Sequence, residues 1–127
     1  MPVYSFGGDV VERQSFLNGT RAYTIAGAGV LGNDAWSYSL SVTLPREQGE
    51  PLTEGDFSLE LAGRTWDADL GGGDFREVMD EASAVAITSV RCRFVRNPEA
   101  ESDLPWQAAE AELAIGVDEA ELTLRPL

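Results

Sequence analysis

The chain has 127 residues, of which 22 are acidic and nine are basic, giving a net charge of −13; all nine basic residues are arginines, and lysine and histidine are absent. That length suits a single domain with one core. The charge argues against nucleic-acid phosphates and anionic membrane surfaces as partners, and the missing residue types remove the commonest general base, a common zinc or iron ligand and Schiff-base chemistry.

Residues 3–6 predict a short opening strand stopped by Gly7-Gly8. The first nine residues show no basic segment followed by an apolar run, so no signal peptide is expected. Residues 9–17 and 20–31 flank Asn18-Gly19, the strongest short signal for a two-residue hairpin turn. Such a turn pairs Leu17 with Thr20. It puts Val10, Phe16, Tyr23 and Ile25 on one face, where Glu12 and Gln14 also fall. Gly27 and Gly29 leave that face bare at alternate positions, which marks a bend, a bulge or close approach by another group.

Residues 36–44 carry the clearest pattern. Trp36, Tyr38, Leu40, Val42 and Leu44 alternate with Ser37, Ser39, Ser41 and Thr43. Successive strand side chains point to opposite faces, so this is a strand with one buried and one polar side. Pro45 ends it, because proline cannot donate to a ladder. Residues 45–56 form a long polar connection of the kind that is either functional or mobile. Phe57, Leu59 and Leu61 are apolar at odd positions, and Trp66, Ala68 and Leu70 at even ones. That parity change is what a tight turn at Ala62-Gly63 needs to keep one apolar face, with Leu59 opposite Trp66.

Gly71-Gly72-Gly73 reads as a flexible break. Asp74 and Glu77 then stand at capping-box spacing and predict a short helix near residues 75–82, with Phe75, Val78 and Met79 on one side. Residues 84–95 predict a strand whose Val85 and Ile87 the helix covers. Cys92, the single cysteine, lies on its apolar face and is expected to be an inert buried thiol. A lone cysteine forms no intramolecular disulfide, and together with the missing leader it points to the cytoplasm. An acidic loop follows from Asn97-Pro98 to Pro105. A turn at Asp118-Glu119 then pairs Ile115 with Leu122, Leu113 with Leu124 and Glu112 with Arg125. The whole is an all-β single domain over residues 1–127: an antiparallel barrel, or a two-sheet sandwich, of about nine short strands with one short helix.

Four constellations are candidates for function. Asp67, Asp69 and Asp74 around the glycine run are oxygen ligands of the kind calcium takes, though the plainer reading is a wet strand face and a helix cap. Arg91 and Arg93, with Arg96 close behind, can fork a carboxylate ligand, or simply balance acidic neighbours such as Glu60 or Glu112. Tyr23, Trp36, Tyr38 and Trp66 can line a barrel cavity for an apolar small molecule, or fill the core of a barrel too small to have one. Glu12, if buried beside Tyr23 and Ile25, can act as a carboxylate acid or base. No serine has a base to activate it. The expectation is a domain that acts by binding or assembly, with a protein partner or a second copy completing its edges. The alternatives are a small-molecule barrel and a calcium-responsive module.

Overall fold

The computed structural model describes residues 2–127 and shows a closed, up-and-down antiparallel β-barrel with no helix among those residues. Its strands are β1 (Tyr4–Ser15), β2 (Arg21–Leu31), β3 (Asp34–Leu44), β4 (Glu54–Leu61), β5 (Arg64–Asp80), β6 (Val85–Arg96), β7 (Ala108–Ile115) and β8 (Glu119–Pro126). Each strand pairs with the next, and β8 returns to β1. The turns after β1, β3, β5 and β7 gather at one end, here the upper end. Those after β2, β4 and β6 lie at the lower end, with both termini.

The alternation along β3 produces the expected strand. Its apolar residues point inward, and Leu59 sits opposite Trp66 across the β4–β5 hairpin. Eight strands form rather than about nine, because Gly7-Gly8 lies inside β1 instead of ending it. The predicted helix at 75–82 is a correction. Residues through Asp80 continue β5, a strand of 17 residues, and Phe75 is buried while Val78 and Met79 are exposed. Gly71 is the irregularity in the β5–β6 register, a bulge rather than a break. Gly73 makes this possible: its φ is 152°, and a Cβ there would run into the Arg91 carbonyl and Cys92 of β6. Once the strand passes that point, pairing to β6 outweighs the helical spacing of three side chains.

Two turns also differ from expectation. At Asn18 the side-chain Oδ1 accepts from the Thr20 amide (3.1 Å) and hydroxyl (2.7 Å). The loop is one residue longer than a two-residue turn: Phe16 N donates to Thr20 O and Gly19 N to Phe16 O, so Leu17 sits fully exposed at the tip. In the last hairpin Ile115 faces Ala120 and Leu113 faces Leu122, a register two residues from the predicted one. A shift of two keeps every side chain on its own face, so apolar parity cannot detect it. Gly116 N donating to Glu119 O fixes the actual turn. Arg125 consequently stands opposite Glu110, and Glu112 opposite Thr123.

The long β5 outruns both neighbours, and a loop covers each exposed edge. Below, Thr65 O accepts from the Asp103 and Leu104 amides, Asp67 N donates to Ser102 Oγ and Asp67 O accepts from Asn97 N. Above, Gly73 O accepts from Leu52 N, Phe75 O from Gly49 N, and Glu77 N donates to Gln48 Oε1. The long polar connection after Pro45 is therefore docked, with Leu52 buried beneath it.

The interior is filled. Trp66, Ile25, Leu40 and Phe94 are each 0 % exposed, as expected of an eight-stranded barrel whose bore just accommodates its own side chains. In the lower half the aromatic rings form a closed circuit, Tyr4–Phe6–Trp36–Tyr38–Phe57–Trp66–Trp106 and back to Tyr4, with centroid separations of 4.6–6.1 Å. Such spacings suit offset and edge-to-face contacts. At the upper mouth Arg21 lies over the Tyr23 and Phe75 rings and reaches Glu77 at 2.6 Å, while Thr88 donates to the same carboxylate. Burial works to lower the Arg21 pKa, but the hydrogen bond to Glu77 and the nearby Tyr23 and Glu77 raise it overall.

Candidate functional site

The sequence-based candidates disperse over this frame. Tyr23, Tyr38 and Trp66 are core residues and line no lumen; Trp36 alone among the four is half-exposed. Glu12 is exposed, because the β1–β2 register shifts between Val10 and Glu12. That bulge turns Glu12 to the outer wall opposite Thr24 and sets Arg13 opposite Tyr23 at the upper mouth, where its exposed guanidinium lies over the Tyr23 ring and donates to the Gly116 and Val117 carbonyls. The mixed hairpin face expected for Glu12 and Gln14 is thereby removed.

Arg91 and Arg93 project from the outer wall of β6 towards Glu112 and Glu110 of β7, at 3.7 and 3.8 Å, and Arg125 of β8 shares Glu110. These are exposed cross-strand pairs, each worth about 0–1 kcal/mol. Asp67 and Asp69 do share the outer face of β5, but Asp74 lies beyond the bulge opposite Arg91. Among the described residues no group of three His, Cys, Asp or Glu side chains is placed to hold a metal. Cys92 is buried, and burial pushes its thiol up to about 12, far from the thiolate that nucleophilic chemistry needs.

The structure draws attention instead to the seam between β1 and β2. β1 pairs with β8 from Tyr4 onward, and β2 pairs with β3 as far as Leu31, yet the β1–β2 ladder begins only at Asp9↔Ala26. Residues 4–8 of β1 and 27–31 of β2 therefore have a strand neighbour on one side only. Small residues explain the parting. Tyr38 lies across Gly27, and its hydroxyl donates to the Gly7 carbonyl at 3.2 Å in place of a backbone partner. Trp36 lies flat against Gly29, where a Cβ would come within 2.6 Å of its ring. The bare face left by Gly27 and Gly29 is thus the bed of two aromatic rings. Burial, and then the charge of Asp9, push the Tyr38 hydroxyl up to about 12, so it remains a donor.

On the outer wall this seam opens into a cleft of about 770 Å³ that runs diagonally across β8 to the upper end of β6. That volume falls in the ~300–1,000 Å³ range typical of ligand clefts. The floor is made of small residues, Gly7, Ala28, Ala114 and Gly116, with Trp36 at the seam end. The walls carry Asp9, Asp80, Glu119 and Glu121, and the Arg13 guanidinium closes the upper end, donating to the Gly116 and Val117 carbonyls at 2.9 Å. Of these residues only Trp36 stands out in the sequence as a site candidate. The glycines at 27 and 29 were a usable signal, but the carboxylates converge only once the barrel closes β8 on β1. No protein-family model matches the chain, and neither a curated protein nor a solved structure matches it.

Proposed function

We propose that this chain is a binding or assembly module that engages its partner on the outside of the barrel, rather than an enzyme or a carrier of an internal ligand. The observation that carries this reading is the filled bore, in which the aromatic circuit and the aliphatic layer above it occupy the space a small molecule would need. It is supported by the exposure of Glu12, which takes it out of the apolar setting expected of an acid or base, and by the burial of Cys92, which keeps its thiol protonated. Concavity and unpaired strand edges both lie on the outer wall.

Amide chemical shifts, followed while pools of basic, neutral and acidic peptides and of apolar small molecules are added, test this. The reading expects peptides to move outward-facing residues and small molecules to leave Leu40, Trp66 and Phe94 unmoved. Saturable shifts of those inward residues with a small molecule would overturn it. So would turnover that is lost on Glu12→Gln while the melting temperature is unchanged.

A further inference from the structure

We infer that the free edge of β2 at residues 28–31, together with the acidic cleft beside it, is a docking site for an extended basic peptide that alternates cationic and apolar side chains. This rests on the reading of the chain as a binding module and names the partner. A strand with one unpaired edge offers its N–H and C=O groups to an added strand, and main-chain bonds then supply affinity while alternate side chains supply specificity. Residues 28–31 lack a partner on the β1 side, whereas the ladder above them, from Ala26, is closed.

The two faces of such an added strand meet different surroundings. Its inward face meets the half-exposed Trp36 ring over Gly29, which calls for apolar side chains. Its outward face meets Glu121, with Asp9 and Glu119 at its upper end, where the β1–β2 ladder closes. Glu121 stands directly across from Gly7, where no side chain comes between the carboxylate and the seam. Charge complementarity selects the occupant: four carboxylates line the cleft against one guanidinium at its upper end, that of Arg13, already bound to the Gly116 and Val117 carbonyls, so on a chain of net charge −13 the cleft attracts lysine or arginine and repels acidic segments. The exposed Val30 and Leu31 at the lower lip extend the apolar contact.

The test uses the full chain and a fluorescein-labelled peptide of alternating lysine and valine, read by anisotropy and by amide chemical shifts. A second probe carries the same sequence N-methylated on the residues that would face β2, which preserves charge and removes main-chain donors. The site predicts saturable binding that weakens with salt. Shifts should concentrate in residues 4–9 and 27–31. Affinity should fall about tenfold on N-methylation, the worth of one or two hydrogen bonds. It should fall by a similar factor, about tenfold, in Glu119→Arg with Glu121→Arg, both exposed positions whose reversal leaves the core intact. Equal affinity for the two probes would mean diffuse charge attraction and overturn the inference. Absent binding, or shifts elsewhere on the outer wall, would overturn it while leaving the binding-module reading standing. Shifts at residues 27–31 that grow with protein concentration alone would assign the edge to a second copy of the chain. Shifts confined to inward residues would end both readings.

Discussion

Single residues decide how the seam is held. Tyr38 contributes one hydroxyl to one carbonyl at a place where the backbone ladder is absent, so Tyr38→Phe should lower the unfolding free energy by about 1 kcal/mol in urea titration. Gly27→Ala should cost more, about 1–3 kcal/mol, because the new methyl meets the Gly7 carbonyl and the Tyr38 ring. If both substitutions were neutral, the packing of the seam would not be as described. Cys92 makes a second residue-scale case. With the thiol buried and its pKa pushed up to about 12, a disulfide reagent at mildly alkaline pH should react only as fast as the protein opens. Immediate stoichiometric reaction in native buffer would place the thiol at the surface. The sequence made the fate of Cys92 legible, because its parity with Val90 and Phe94 is unambiguous. The direction of Glu12 was not legible, because a bulge between Val10 and Glu12 leaves no mark in apolar spacing.

Elements follow alternation where both faces are distinct and escape it where they are not. β3 was readable as a strand, and β4 with the start of β5 to the pair, since Phe57, Leu59, Trp66 and Ala68 fix the parity and Ala62-Gly63 fixes the turn that parity alone leaves open. β5 beyond the glycines was not. Phe75, Val78 and Met79 mimic a helix stripe, and only pairing with β6, a long-range contact, resolves them. The loops that cover β5 were equally hidden, and they make a pH prediction. Asp103 accepts from the Thr65 amide and hydroxyl, and those hydrogen bonds, led by the backbone one, hold its carboxyl below its ordinary value of 3.8. A folded-state pKa below the unfolded one stabilises the native form above the unfolded value, and this is lost as pH falls through the folded one. Acidification below 3.8 should therefore loosen the lower loop, seen as a tryptophan fluorescence change as Trp106 parts from Trp66. Asp103→Asn should flatten that change; an identical acid profile in the variant would assign it to other carboxylates. At the glycine bulge, millimolar calcium should leave the melting temperature unmoved, because Asp74 lies across from Arg91 rather than beside Asp67 and Asp69. A rise abolished by Asp67→Asn with Asp69→Asn would contradict that placement.

The whole molecule combines a solid interior with an incompletely zipped wall. Barrel closure removes sheet edges, the usual answer to unwanted strand pairing. Here the closure leaves one stretch of two strands open, with Glu121 beside it and Asp9 and Glu119 at its upper end. Amide hydrogen exchange along β1 and β2 tests this most directly. Phe6 and Gly8 belong to the β8 ladder, and Val10 N donates to Asp118 O on that same side, so the alternate amides of Ser5 and Gly7 face the seam. The structure predicts slow exchange at Phe6 and Gly8 and fast exchange at Ser5 and Gly7, with the same alternation along residues 27–31 of β2. Uniform protection through residues 4–8 and 27–31 would mean a continuous β1–β2 ladder and would contradict the open seam.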